Sequence, residues 1–222
     1  TAVIDKLERA RLAVRSGADL VIELPVQYSI ASAEGFATGA VYLLDALGAV
    51  DELSFGSECG DADTLLKAME TVNTTAVSHA DEIKSIMEKG YTYPRALSSV
   101  VNGIDPEAAA IISEPNNLLA IEYLKALKKL ESPIKPFTIK RFSAQHDGKK
   151  AEDGFASASF LRERIQKNAD ISEFTTSEWA AAISAALSKG ETASLSRLER
   201  VILYKLRSST TDEISQIYDV GQ

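Results

Sequence analysis

The stretch Phe155-Ala-Ser-Ala-Ser-Phe-Leu-Arg162 follows a predicted basic strand and opens a predicted helix over residues 159–168. Backbone N–H groups at a helix N-terminus lack intrahelical partners and carry the positive end of the helix dipole. The hydroxyl groups of Ser157 and Ser159, these N–H groups and the guanidinium of Arg162 can therefore converge on one phosphate. Spacing alone favours a simpler alternative, in which Ser159 is only an N-cap and Arg162 is a solvated helix residue.

The composition is typical of a globular protein. The chain has 222 residues, 45% hydrophobic and 25% charged, which suits one α/β domain or one domain with a small appendage. No apolar run approaches the roughly 18 residues of a membrane span, and no secretory leader is evident, so we expect no membrane partner. The single cysteine, Cys59, excludes an internal disulfide and favours a cytoplasmic location. The oligomeric state stays open.

The net charge of −8 argues against broad, sequence-blind binding of nucleic acid. It leaves room for a local basic face that docks one RNA, with a marked dependence on salt. Positive charge is concentrated in one region of the sequence, at Lys135, Lys140, Arg141, Lys149, Lys150, Arg162 and Arg164.

Hydrophobic patterning predicts an α/β fold, with a parallel sheet flanked by helices and followed by a small helical subdomain. The predicted strands are Asp19–Leu24, Glu52–Phe55 and Lys135–Phe142. The predicted helices are Lys6–Ser16, Ala33–Leu47, Ala62–Thr71, Asp81–Lys89, Pro94–Val101, Pro106–Ile112, Leu118–Leu130, Ser159–Asn168, Glu178–Ser188, Leu195–Leu206 and Thr211–Tyr218.

We expect two domains, an α/β domain over residues 1–168 and a helical subdomain over residues 169–222. The three predicted strands are too few for a stable doubly wound sheet with so many helices. The first predicted element is also a helix, whereas doubly wound domains usually begin with a strand. We therefore expect the missing strands to lie upstream of Thr1.

Three residues, at two places in the sequence, are candidates for ligand contact. Gly56 follows the second predicted strand, where a glycine lets backbone approach a ligand, although a plain tight turn is the simpler alternative. Asn116 and Asn117 can cap the following helix, or they can hydrogen-bond a base or a ribose, because an amide both donates and accepts. The polar loop Ser143–Gly154, which contains His146, is expected to be mobile until a ligand binds.

These elements together resemble the bacterial tRNA(Met) cytidine acetate ligases, a branch of the nucleotidyltransferase superfamily with a HIGH-type signature. The resemblance spans nearly the whole chain, and it implies a Rossmann-like nucleotidyltransferase sheet. The matching segments are Val3–Lys6 with Arg9, Gly17–Pro25, Phe55–Glu58, Pro115–Asn117, Lys140–Arg141 and Ala156–Arg162.

The resemblance implies a reaction. ATP, accompanied by Mg²⁺, adenylates acetate to acetyl-adenylate and releases pyrophosphate, and the acetyl group then passes to N4 of the wobble cytidine of elongator tRNA(Met). This chemistry requires positioning and charge stabilisation and no nucleophilic side chain. A sequence without a Ser-His-Asp or Cys-His arrangement agrees with it.

The resemblance also implies which residues bind substrate. The nucleotide-binding positions are Gly56, Asn116, Asn117, Arg141, Ser157, Ser159 and Arg162. Lys6 and Arg9 match family positions on the first helix that contact phosphate or tRNA. No catalytic side chain and no protein metal ligand is implied.

One departure from the family pattern is large. The first phosphate motif of the superfamily, His-x-Gly-His, is absent from the sequence, and neither His79 nor His146 lies in that context. A chain without this motif is expected to bind ATP poorly. Two alternatives stay open. The phosphate element suits an adenylyltransferase for another small acid or phosphate equally well, and the missing motif suits an inactive relative that binds a nucleotide or RNA.

Overall fold

The structure is a computed structural model that describes residues 2–141 and 156–217. The chain forms two compact units, one made of residues 1–21 and 144–222, the other of residues 22–143. The boundary that the sequence predicts, at residue 168, falls inside the first of these units, and the division at that residue stays a prediction.

The helices and strands of the described residues follow in chain order. They are α1 (Lys6–Arg15), α2 (Val26–Ser29), α3 (Ala33–Ala46), β1 (Glu52–Ser57), α4 (Ala62–Ser78), α5 (Ala80–Glu88), α6 (Tyr93–Ile104), α7 (Pro106–Ser113), α8 (Pro115–Lys129), β2 (Lys135–Lys140), α9 (Ala158–Gln166), α10 (Ser177–Lys189), α11 (Leu195–Ser208) and α12 (Thr211–Ser215). A short 3₁₀ turn, Ser172–Phe174, lies between α9 and α10.

The sheet of the unit 22–143 is parallel, as the sequence predicts. β1 pairs with β2 in a register that runs from Glu52 opposite Lys135 to Ser57 opposite Lys140. Both strands therefore end at the same edge, and polar residues follow each of them. Ligands of open α/β sheets bind outside this carboxyl edge.

The hydrophobic core of this unit is built mainly by the helices. α4 buries one face at spacings of three and four residues, including Leu65, Met69 and Val72. Val41 of α3 and Ile121 of α8 are fully buried beside it. α4 extends to Ser78, beyond the predicted end at Thr71, because Val72 and Thr75 pack in the core and tertiary burial outweighs the low helix propensity of this stretch.

The predicted strand Asp19–Leu24 is wrong. Residues 20–25 have no regular structure, and Leu20 is 66% exposed. Within the described part of the chain no strand lies alongside to take up its backbone hydrogen bonds, and a strand without such a partner is not stable. The apolar residues of this segment indicate a strand, but the pairing that would form one is missing.

Several predicted helix ends are corrected. The N-cap of α9 is Ser157, which accepts a hydrogen bond from the backbone N–H of Phe160, so Ser159 lies inside the helix. Asn116 and Asn117 also lie inside their helix and do not cap it, since Glu114 is the N-cap of α8. The loop predicted over residues 143–154 lies outside the described residues.

The other unit is helical where it is described, apart from short connections. Leu12 of α1 and Ile165 of α9 are buried, and the side chain of Arg164 lies over the rings of Phe160 and Phe174 at 5.7 and 5.6 Å. Arg164 also donates from Nε to the carbonyl oxygen of Asp170 at 2.9 Å. This arginine, which the sequence placed in the basic region, therefore packs α9 against the 3₁₀ turn.

None of the described helices is both long enough and apolar enough to span a membrane.

Candidate functional site

Gly56 and Arg141 meet at the carboxyl edge of the sheet. The backbone N–H of Arg141 donates to the carbonyl oxygen of Ser57 at 2.9 Å, which extends the ladder by one residue beyond β2. A Cβ at position 56 would lie 3.2 Å from Cγ of Arg141 and 3.6 Å from its Cδ. Gly56 therefore leaves room for the aliphatic part of the Arg141 side chain, which lies close to the backbone of β1.

Hydrogen bonds of the Ser57 side chain hold the turn that follows β1 in place. The buried hydroxyl of Ser57 lies 2.6 Å from Oγ1 of Thr138 and accepts a hydrogen bond from the backbone N–H of Gly60 at 2.9 Å. Gly60 has a φ of +69°, and a Cβ there would lie 2.9 Å from Cα of Lys140. Only glycine satisfies both the left-handed backbone and this contact.

Glu58 occupies the N-terminus of α8. Its Oε1 accepts from the backbone N–H of Asn116 at 3.2 Å and from Nδ2 of Asn116 at 2.5 Å, and its Oε2 accepts from the backbone N–H of Asn117 at 2.7 Å. These N–H groups belong to the first turn of the helix, which has no intrahelical acceptors for them. The carboxylate therefore satisfies the helix end and complements its dipole.

The side chain of Asn117, in α8, forms hydrogen bonds with the backbone of the turn after β1. Its Oδ1 accepts from the backbone N–H groups of Glu58 at 2.9 Å and of Cys59 at 3.1 Å, and its Nδ2 donates to the carbonyl oxygen of Ile111 at 3.1 Å. The side chain is only 2% exposed. In this structure Asn117 holds the turn in place, and its role as a nucleotide contact stays a prediction.

The pKa of Glu58 lies below its usual value. Burial by itself raises this pKa, but the hydrogen bonds from the Asn116 side chain and from the backbone N–H groups of Asn116, Asn117 and Glu58 itself outweigh the effect of burial. The carboxylate is therefore ionised at neutral pH, and it acts only as an acceptor.

Asn116 and Arg141 both have capacity left for a ligand at this edge. The hydrogen bonds that the described residues give to the Asn116 side chain use Nδ2 and leave Oδ1 without a donor. Arg141 is exposed, and no carboxylate of residues 2–141 or 156–217 forms an ion pair with it. An acceptor and a cation thus lie beside the open edge of the sheet.

The predicted phosphate element lies in the other unit. Ser157 caps α9, and Nη2 of Arg162 donates to Oγ of Ser159 at 3.2 Å. Ser159 and Arg162 line a cavity of about 760 Å³. Arg197 of α11 also lines it, and its Nη1 donates to the carbonyl oxygen of Gly190 at 2.6 Å.

Lys6 and Arg9 are exposed on α1 of the same unit. Asp5 caps this helix by accepting from the backbone N–H groups of Leu7 at 2.8 Å and Glu8 at 3.0 Å. The roles of Lys6 and Arg9 in binding phosphate or tRNA stay predictions.

Sequence reasoning missed the part that Glu58 plays. Its partners lie 58 and 59 positions further along the chain, so no local pattern connects them. The available signal was an acidic residue directly after a strand, at the edge of a sheet where ligands bind.

Among the described residues, no group of three or more His, Cys, Asp or Glu residues is arranged to hold a metal ion.

The chain was compared with known protein families and sequences. The family model described as HIGH Nucleotidyl Transferase matches residues 1–222. A tRNA(Met) cytidine acetate ligase of Thermoanaerobacter sp. (strain X514) is 38% identical over 228 residues, covering 100% of this chain and 56% of the relative. The ligase of the same name from Syntrophotalea carbinolica is 40% identical over 176 residues, covering 78% of this chain and 42% of the relative.

Two solved structures of TmcAL are similar to this chain over almost its whole length. Apo TmcAL from Thermotoga maritima has a TM-score of 0.91 and 27% identity, covering 99% of this chain and 54% of that one. The same protein bound with alpha-thio ATP has a TM-score of 0.87 and 26% identity, covering 99% of this chain and 53% of that one. The chain spans about half the length of the curated relatives it matches. It belongs to the HIGH nucleotidyl transferase family.

Proposed function

We propose that this protein is an ATP-dependent acetate ligase that forms acetyl-adenylate and acetylates N4 of the wobble cytidine of elongator tRNA(Met). The observation that carries the proposal is the match of the whole chain to a ligase of that name at 38% identity. The structural relative bound with alpha-thio ATP supports ATP as the nucleotide.

The proposed chemistry balances without a nucleophilic side chain. An oxygen of acetate attacks the α-phosphorus of ATP, and the bond to pyrophosphate breaks. N4 of the cytidine then attacks the acetyl carbon, AMP leaves, and N4 loses a proton. The protein contributes by holding the reacting groups in line and by placing donors and cations where negative charge develops.

Each residue has a specific part in this proposal. Gly56 lets the nucleotide approach the end of β1, and Oδ1 of Asn116 accepts from a hydroxyl or amine of the nucleoside. Asn117 supports this contact through the turn after β1. The cation of Arg141 binds a phosphate oxygen. In the other unit the phosphate contacts are Ser157, Ser159 and Arg162.

Mg²⁺ is proposed to enter with ATP. In nucleotide enzymes this ion is commonly bound by substrate phosphates and one or two carboxylates, with water completing its shell. The ion would neutralise charge on the phosphates.

Acetate and tRNA are the proposed partners, and the cytoplasm is the proposed location because tRNA is modified there. Lys135, Lys140 and Arg141 follow one another along β2 and its end, and Lys135 and Lys140 are exposed. Lys140 and Arg141 at the end of the strand are candidates for contact with the tRNA backbone, whereas Lys135 lies five positions earlier and on the opposite side of the strand from Lys140. Lys149 and Lys150 lie outside the described residues.

Pyrophosphate release tests the proposal directly. The protein with its whole native sequence is incubated with ATP and Mg²⁺, first with and without acetate, and then with elongator tRNA(Met). We expect release that depends on acetate, followed by N4-acetylcytidine in the tRNA. Release that requires another acid would favour an adenylyltransferase of different specificity, and a protein that binds nucleotide without any release would favour an inactive binding relative.

Arg141→Ala should weaken ATP use by roughly tenfold to a hundredfold, judged by KM for ATP in the same assay, since a charged hydrogen bond is worth about 1.5–3 kcal/mol. Arg95→Ala is the matched control, because Arg95 is an exposed arginine of the same unit that lies over the ring of Tyr91. Equal effects of the two substitutions would remove Arg141 from the proposed site.

A further inference from the structure

We propose that Glu58 is a positioning residue of the nucleotide site, which orients the side-chain amide of Asn116 so that Oδ1 is offered to the nucleotide. This inference rests on the proposed function, because it assigns a role within the nucleotide site. It concerns a residue that does not itself contact the ligand.

The orientation of the Asn116 amide follows from chemistry. The oxygen and the nitrogen of a side-chain amide have nearly the same size and shape, so the hydrogen-bond partner must distinguish them. An ionised carboxylate can only accept a hydrogen bond. The group of Asn116 that faces Oε1 of Glu58 at 2.5 Å must therefore be the donor Nδ2. Oδ1 is left as the free acceptor of the amide, to which a hydroxyl or an amine of the nucleotide can donate.

The same carboxylate determines what the N-terminus of α8 can bind. Such a helix end ordinarily attracts anions. Here Glu58 already accepts from the backbone N–H groups of Asn116 and Asn117, at 3.2 and 2.7 Å. A phosphate placed there would have to displace a carboxylate of the protein. The nucleotide therefore meets the Asn116 amide and Arg141 at this edge, and not the end of α8.

A reciprocal contact makes this arrangement stiff. Glu58 binds the first turn of α8 through its side chain, and Asn117 of α8 binds the backbone N–H groups of Glu58 and Cys59 through Oδ1. The turn after β1 and the start of α8 are thus joined in both directions. Movement of either one displaces Asn116 relative to Gly56.

The test exchanges the hydrogen-bond donor and acceptor between the side chains at positions 58 and 116. Asn116→Asp places a second carboxylate against Glu58 and should weaken ATP binding by more than about tenfold. Glu58→Gln should weaken it by about tenfold, since the new amide group meets an N–H donor. In the double variant, the amide introduced at position 58 donates to the carboxylate introduced at position 116, and an acceptor again faces the ligand. We expect the double variant to bind ATP at least threefold more tightly than Asn116→Asp alone.

The control is Glu114→Gln. Glu114 is the exposed N-cap of α8, and its side chain makes no capping hydrogen bond, so removal of its charge should leave ATP affinity within about twofold of the original value. Thermal unfolding of every variant is recorded in parallel. If the role of Glu58 is purely structural, Glu58→Gln lowers the melting temperature. The affinity of this variant for ATP, measured well below the melting temperature, is then unchanged.

Affinity is measured directly by calorimetry with ATP and Mg²⁺, without turnover. A protein that binds ATP but releases no pyrophosphate with acetate would therefore contradict the proposed ligase and leave this inference intact. Unchanged affinity in both single variants would overturn the inference. So would a double variant that binds ATP no better than Asn116→Asp.

Discussion

Glu58 makes the stability of the sheet edge depend on pH. Its pKa in the folded protein lies below the unfolded value, because hydrogen bonds to the carboxylate outweigh the opposing effect of burial. The stabilisation is therefore fully present above the ordinary pKa of a glutamate, and it is lost as pH falls through the lower pKa of the folded state. The relevant window lies below about pH 4.5.

Glu58→Gln should lower the free energy of unfolding at neutral pH by roughly 1 kcal/mol, a value reduced from that of a charged hydrogen bond because Glu58 is half-buried. The difference between the wild type and the variant should shrink as the pH is lowered from 6 towards 3. Urea unfolding across this range measures it. Asp5, Asp61, Asp170 and Glu213 also have lowered pKa values, but they are common to both proteins and cancel in the difference. A difference that stays constant with pH would contradict the assignment.

Single residues could be predicted where their role depends on sequence neighbours. Gly56 directly follows one predicted strand and Arg141 lies near the end of another, and the structure brings them together at the end of the parallel pair. The roles of Glu58 and Asn117 could not be predicted in this way. Their hydrogen bonds join residues almost sixty positions apart, so they exist only once α8 is packed beside β1.

A helix or strand could be predicted where the sequence has the hydrophobic pattern of that element and the folded chain supplies a neighbouring element for it to pair with or pack against. β1 and β2 fulfil both conditions. The segment Asp19–Leu24 has the composition of a strand but lies exposed without a neighbouring strand among the described residues. Composition indicates the tendency to form a strand, and pairing decides whether a strand forms. The four-residue helix α2 was missed for a related reason, since it has no capping side chain and is too short to show a period.

The packing of α2 on α3 depends on Gly39. The ring of Tyr28 lies directly against this residue, and a Cβ added there would clash with the ring. Gly39→Ala should therefore lower the free energy of unfolding by roughly 1–3 kcal/mol, measured by urea unfolding.

Gly103→Ala provides the comparison. Gly103 lies inside α6, and a Cβ there would have no neighbour within 4 Å. Because alanine is the better helix former, this substitution should raise the free energy of unfolding by about 0.5–1 kcal/mol. If Gly39→Ala were as well tolerated as Gly103→Ala, the close contact with Tyr28 would not be what holds α2 on α3.

At the scale of the whole molecule, the family and the fold class were predictable because the motifs that carry them are distributed along the chain. The division into units was harder to predict. Residues 1–21 and 144–222 belong to one unit although they lie far apart in sequence. The boundary predicted at residue 168 rests on a change in composition along the chain, whereas a unit made of two distant segments leaves no local signal in the sequence.

The hydrophobic core gives this division a physical test. Every residue of the main buried cluster, from Val41 to Ile134, lies within residues 22–143. A fragment of these residues keeps all of the apolar burial in that cluster, so we expect it to unfold in one cooperative transition in urea, with a near-native far-ultraviolet circular dichroism spectrum.

Ile121→Ala should destabilise the fragment and the entire chain to a similar extent, by about 2–5 kcal/mol, because the same buried contacts are lost in both. A fragment that unfolds without cooperativity, while a fragment of residues 1–168 unfolds cooperatively, would show that the core needs the flanking segments. The domain boundary predicted from sequence would then describe the folding unit better than the division at residues 22 and 143.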